Sequence, residues 1–291
     1  MQTRPPDVIG VRRRLAQWRM QSKAARWIRR GRVPGARGYT AAKWASVQQA
    51  LAGGRGDAYG YDDPGLDERV VEYPWAFERL AELHAPGARI LDAGSVLNHP
   101  LLLAHCRQRG YSPLSIVTLR YEGSAEVSDD VRYEFADLRT LPYRDDWFSI
   151  VVSLSTLEHV GMDNTGYGDT AAASADANLE TIRALQELRR VTTPGGTALV
   201  SVPFGLRADR GWLRVLDARD LDDLVGSSGW HLERTRVFRA AVEGWRECAA
   251  DDARTAGYND RFHRDRPKVL TAPASVAAAE AVALLELTKL P

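Results

Sequence analysis

The side chains best suited to chemistry stand where apolar runs give way to polar turns. Asp92 and Gly94 close the run A-R-I-L-D-A-G, and Asp137 follows V-R-Y-E-F-A. Glu158 and His159 follow F-S-I-V-V-S-L-S-T-L. An imidazole changes charge near neutral pH, so His159 suits a general base that takes a proton from a hydroxyl. Glu158 beside it can orient the ring or line a ligand. A bland alternative makes His159 a packing or capping residue. Asp163 and Asn164 also fit simple turn formation. His99, His159 and Asp163 lack the tight spacing of metal ligands, so no metal is expected. Asp92 has two readings: it holds a ligand, or it caps the helix that follows.

These residues need a scaffold, and the sequence supplies one. Ala88 to Ala93 reads as a strand and Leu97 to Arg109 as a helix broken by Gly110. Strands follow at Ser115–Leu119, Val131–Ala136 and Phe148–Leu154. The last is a nearly continuous apolar run, as expected of a strand buried on both faces. Asn178 to Val191 is an amphipathic helix, with Leu179, Ile182, Leu185 and Leu188 at helical spacing. Pro194-Gly195-Gly196 predicts a sharp turn before a strand at Thr197–Val202. A helix over Leu216–Ser227 and strands at Trp230–Phe238 and Ala279–Lys289 complete the series. Tyr73 to His84 precedes it as a helix with Pro74 in its first turn. Strands alternating with helices give an α/β sheet of largely parallel strands, whose ligands bind at the strands' carboxyl ends.

Charge divides the chain unevenly. Its 291 residues carry a net charge of +1, so the average points to no charged partner. Residues 1–44, however, hold twelve arginines and lysines and a single acid, Asp7. Val11 to Ile28 reads as a basic helix with tryptophans, and Ala41 to Leu51 as a second. Such a helix fits an anionic membrane surface, or nucleic acid less well. It also fits an arm packed on the main domain or on a second subunit of a homodimer. Gly53 to Gly65 is rich in glycine, aspartate and proline, placing a boundary near residue 60. That divides the chain into an arm and linker, 1–60, and a main domain, 61–291. Cys106 and Cys248 stand far apart, which suggests a reducing compartment and a cytoplasmic protein, peripheral to the inner face of the membrane if the arm binds there. No segment reaches the ~18 apolar residues of a spanning helix.

One family resemblance emerges from the motifs in order. They are L-D-A-G at 91–94, F-A-D-L-R-T-L-P-Y at 135–143, W-F-S-I-V-V-S-L-S-T-L-E-H-V at 147–160, and R-R-V-T-T-P-G-G-T-A-L-V-S-V-P at 189–203. The set resembles the class I S-adenosylmethionine-dependent methyltransferases over residues 70–291. The loop after the fourth strand is similar to that of a bacterial subgroup. The resemblance implies a seven-stranded sheet whose last strand is antiparallel, with helices on both faces. It implies S-adenosyl-L-methionine as cofactor, held by Asp92, Gly94, Ser95, Glu122, Asp137, Leu138 and Ser155, with His159 and Glu158 catalytic. The implied reaction is O-methylation of a glycan or small molecule. The chain departs from the family where later glycines give way to Ser95-Val96-Leu97, and this keeps a non-catalytic binding or scaffold protein as the rival. A nicotinamide-dependent oxidoreductase is disfavoured because the same turn lacks its glycine pattern. Phe204–Arg214, with Arg207, Arg210 and Arg214, offers contacts for an anionic or sugar-bearing substrate. Arg239–Pro273 reads as an inserted lid or docking surface.

Overall fold

A computed structural model describes residues 8–32, 36–53, 60–61, 64–120, 130–165, 173–259 and 278–291. Two helices, α1 (Val8–Arg29) and α2 (Tyr39–Leu51), lead to a short strand β1 (Gly60–Tyr61) and to α3 (Arg69–Leu83). The alternating core follows: β2 (Ile90–Ala93), α4 (Pro100–Arg109), β3 (Leu114–Thr118), β4 (Val131–Phe135) and β5 (Phe148–Leu154). Next come α5 (Ala177–Val191) and β6 (Thr192–Pro203), and then a small hairpin of β7 (Ala208–Asp209) and β8 (Arg214–Val215). The chain ends with α6 (Ala218–Ser228), β9 (His231–Ala241), β10 (Gly244–Cys248), α7 (Ala250–Ala253) and β11 (Ala281–Thr288).

The main sheet has nine strands in the order β1-β10-β9-β11-β6-β5-β2-β3-β4. Strands β4, β3, β2, β5 and β6 run parallel, while β11 inserts antiparallel between β6 and β9. The seven strands from β9 to β4 are the sheet expected from the sequence. β10 and β1 extend it antiparallel beyond β9. Successive side chains of a strand point to opposite faces, and the core divides accordingly. Ile90, Ile150 and Val152 join the layer under α3 and α4, whereas Leu91 and Val151 join the layer under α5 and α6. The result is three layers, with helices on both faces of the sheet.

Local details differ from expectation for identifiable reasons. α3 begins at Arg69, four residues before Tyr73, because Val70 and Val71 are fully buried and extend its apolar side. Pro74 is therefore the helix's sixth residue and removes the backbone bond that would close on Val70. α4 starts at Pro100, not Leu97. His99 caps it, its Nδ1 accepting from the Leu101 N–H at 3.3 Å, and Pro100 takes the position where a missing N–H costs nothing. The run Pro194–Gly196 continues β6 through a register shift against β5 and does not turn sharply. Gly196 fits there because a Cβ would lie 2.7–2.8 Å from Thr192 and from the Ser149 carbonyl. β10 stands where a lid was expected. Trp245 in it is fully buried and donates its indole N–H to the Leu66 carbonyl at 3.0 Å, so this segment belongs to the core. The remainder of the segment expected as a lid, residues 260–273, lies outside the described residues. No described helix is long and apolar enough to cross a membrane.

Candidate active site

A cavity of about 590 Å3 opens at the carboxyl ends of β2, β3, β4 and β5, where the chain leaves a parallel sheet and backbone groups become available. Gly94 and Ser95 after β2 form one part of its wall. Asp137 and Leu138 after β4 form another, and Ser155 and His159 after β5 a third. Six residues singled out in the sequence thus converge on one space. Asp92 and Glu158 do not line it, and Glu122 lies outside the described residues.

Asp92 shapes the turn beneath the wall. Its carboxylate is fully buried and accepts from the Val96 N–H at 3.0 Å and the Leu97 N–H at 2.8 Å. With those amides gathered in, Ser95 takes the left-handed conformation at φ 60°, one that short polar residues tolerate better than β-branched ones. Asn98 secures the turn by donating to Ser95 Oγ at 3.1 Å and accepting from the Tyr133 hydroxyl at 2.7 Å. The missing family glycines are thus replaced by a turn held through side chains. Gly94 itself cannot be replaced cheaply. Its φ is +123°, and a Cβ would meet Thr156 Oγ1 at 2.3 Å.

His159 ends a single 3-10 turn, Leu157–His159, packed against the β7–β8 hairpin. Its ring stacks on Trp212, centroids 5.2 Å apart, and its Nδ1 lies 2.8 Å from the Trp212 carbonyl oxygen. A carbonyl only accepts, so Nδ1 carries the proton and Nε2 carries the lone pair of the neutral ring. Glu158 Oε1 is 3.8 Å from that Nε2, beyond hydrogen-bond reach. The ring is therefore oriented by the Trp212 main chain and not by Glu158. Burial raises the Glu158 carboxyl well above the usual carboxylate range, with Glu72 adding to the effect. Asn164 donates to the His159 carbonyl at 3.0 Å and also lines the cavity.

Beneath Ser155 lies a buried polar knot. Glu72 accepts from the Ser155 and Ser201 hydroxyls, both at 2.6 Å, and pairs with Arg69 at 2.9 Å. Arg69 Nη1 also donates to the Leu154 carbonyl at 3.2 Å, which pins the guanidinium at the end of β5. Ser155 holds a left-handed φ of 41°, a strain that the knot maintains. On the other wall Asp137 is grasped by Arg139, whose Nε and Nη2 donate at 2.9 and 2.6 Å. Burial alone would raise the Asp137 carboxyl, but these bonds bring it below its ordinary value. It is an ionised acceptor at neutral pH.

Several lining residues were not expected at the site from the sequence. Arg69 and Tyr73 belong to α3 and Trp44 to α2, while His99, considered in the sequence only as a metal ligand, caps α4. Trp44 lies flat on His99, centroids 3.5 Å apart at 8°, and stacks on Tyr73 at 5.6 Å. Burial, with Lys43 nearby, lowers the His99 imidazole to about 4, so it is neutral. Nothing local in the sequence marks these residues, because their importance comes from α2 and α3 folding back over the strand ends. Conversely, the arginines after β6 are engaged within the protein: Arg207 with Asp220, Arg210 with the Tyr258 carbonyl, and Arg214 with Thr181. None of the three lines the cavity.

The residues present fit S-adenosyl-L-methionine. Asp137 keeps lone pairs for an amino group beside Leu138, and the Arg69 cation stands at the Gly94–Ser155 end, where it can meet a carboxylate. The sheet order and layers are those that the sequence resemblance implied, and residues 111–200 match the family model described as a methyltransferase domain. That match spans Asp137, Leu138, Ser155, Glu158 and His159 but not Asp92 or Gly94. The chain is similar in structure to the [4+2]-cyclase SpnF, at 18% identity and TM-score 0.45, covering 84% of this chain and 92% of that one. It is also similar to the Burkholderia thailandensis 1,6-didemethyltoxoflavin-N1-methyltransferase with bound 1,6-didemethyltoxoflavin and S-adenosylhomocysteine, at 15% identity and TM-score 0.43, covering 72% and 76%. A third is an S-adenosylmethionine-dependent methyltransferase from Mesorhizobium loti, at 15% identity and TM-score 0.42, covering 75% and 97%. No curated protein matches the sequence.

Proposed function

We propose that this protein transfers a methyl group from S-adenosyl-L-methionine to a hydroxyl oxygen of a glycan or small-molecule acceptor. The observation that carries this reading is His159, which lines the cavity with its proton fixed on Nδ1 by the Trp212 carbonyl. When bound, the cofactor supplies an already activated methyl group, so the protein's work is alignment and proton removal. Arg69, Gly94, Ser95, Asp137, Leu138 and Ser155 would hold it, with the Asp92-built turn beneath. His159 Nε2 takes the proton of the acceptor hydroxyl, and the Trp212 carbonyl stabilises the imidazolium through Nδ1–H. Titration calorimetry with S-adenosylhomocysteine is the test. Micromolar binding is expected, and its absence in a folded sample sinks the reading.

A second reading is a methyltransferase-fold binding or scaffold protein without catalysis. What favours it is that Asp92, Asp137 and Ser155 already bond to protein groups. Labelled methyl transfer to any acceptor excludes it, while cofactor binding without turnover over a broad acceptor panel favours it.

A further inference from the structure

Helix α1 has two opposed faces. At about 100° per residue, Ala24 and Trp27 centre on the side opposite Leu15 and Trp18. Ala24 and Trp27 are buried, whereas Leu15 is 49% and Trp18 64% exposed. The inner face is fastened to the domain. Trp27 meets Tyr39 edge-on at 5.8 Å, and the Lys23 carbonyl sits so close to Gly38 that a Cβ there would lie 2.5 Å away. Residues 15–19 are all exposed, so the helix stands clear of the domain over that stretch. Arg19, Arg26 and Arg29, all exposed, fall within about 70° of the Leu15–Trp18 direction. The helix VIGVRRRLAQWRMQSKAARWIR contains no acid.

We propose that this outer face docks on an anionic lipid bilayer. Leu15 and Trp18 enter the headgroup boundary, where an amphipathic indole is well accommodated, and the three arginines pair with lipid phosphates. Duplex nucleic acid would satisfy the arginines but offers no apolar layer that takes up Leu15 and Trp18 together. A second copy of the same face would set arginine against arginine. The inference goes beyond the methyltransferase reading and does not depend on it.

Co-sedimentation of the full chain with vesicles tests it. Phosphatidylcholine vesicles in which phosphatidylglycerol makes up about a third of the lipid should bind the protein, and pure phosphatidylcholine should not. The Leu15→Ser/Trp18→Ser double variant should bind at least about tenfold more weakly. An Arg19→Gln/Arg26→Gln/Arg29→Gln triple variant should lose on the order of a hundredfold, and raised salt should weaken the wild type similarly. All five side chains are exposed, so the melting temperature and S-adenosylhomocysteine titration should match the wild type. The proposal is overturned if the wild type ignores anionic vesicles, if the double variant binds them unchanged, or if duplex DNA is bound in their place.

Discussion

His159 is held in one tautomer by a main-chain carbonyl, so its role can be tested without disturbing a carboxylate network. His159→Ala should lower methyl transfer by about 10^2–10^4-fold, the usual contribution of a positioned base. Its affinity for S-adenosylhomocysteine should stay within about twofold, since a base acts on the acceptor's proton and not on the cofactor. Equal loss of both would make His159 a wall residue. Asp92 makes a different prediction. Asp92→Ala strands the Val96 and Leu97 N–H groups in a buried turn. Bonds to a charged acceptor are worth about 1.5–3 kcal/mol each, so urea unfolding should show a loss of roughly 3 kcal/mol or more. The types and order of Gly94, Asp137 and His159 were legible in the sequence because each follows a recognisable apolar strand. The duty of Asp92 was legible only in outline: capping was one of its two readings, but the amides it binds are those of Val96 and Leu97 in the turn, and α4 itself is capped by His99.

At the scale of elements, strand composition was the strong signal. β5 ends where its apolar run ends, since burial on both faces demands such a run. β10 was hidden because its short run G-W-R-E-C has only one large apolar residue to announce it. Trp245 nevertheless bridges β10 to the chain before α3, so Trp245→Ala should cost about 3–5 kcal/mol in chemical denaturation. The start of α3 was equally obscured, and it places Glu68 in the interior. Burial, followed by the charges of Asp67 and Glu72, raises the Glu68 carboxyl to about 8, against 4.5 ordinarily. Its folded-state value is the higher one, so the folded state binds the extra proton. Its contribution is therefore full below about pH 4.5 and declines as pH rises towards 8. Glu68→Gln removes that titration, and the variant's melting temperature should gain on the wild type steadily from pH 5 to pH 8. A constant difference across that range would show that Glu68 ionises normally.

At the scale of the whole molecule, the basic N-terminal helices are joined to the site and to the core at once. Tyr39 and Lys43 on α2 both donate to Asp67 Oδ2, at 2.8 and 2.9 Å, which ties α2 to the start of α3. Trp27, Tyr39, Ala42 and Val47 share one buried cluster with Leu66, Val70 and Trp75. A composition shift near residue 60 cannot reveal such packing, because charge describes the solvent face of a helix and these contacts lie on the other. Two truncations separate the roles. Removing residues 1–19 takes away the exposed stretch 15–19 and leaves Trp27 and α2 in place, so melting temperature and S-adenosylhomocysteine affinity should hardly change. Removing residues 1–53 uncovers Leu66, Val70 and Trp75 and deletes Trp44 from the cavity wall. It should lower the melting temperature by about 10 °C or more, as expected for several kcal/mol in a chain of this size. Trp44→Ala in the full chain supplies the local control, because it removes the stack on His99 and Tyr73 but keeps the helices. Weakened S-adenosylhomocysteine binding by Trp44→Ala, with binding regained in Trp44→Phe, would show that α2 completes the site. Wild-type affinity in Trp44→Ala would confine α2 to a stabilising role.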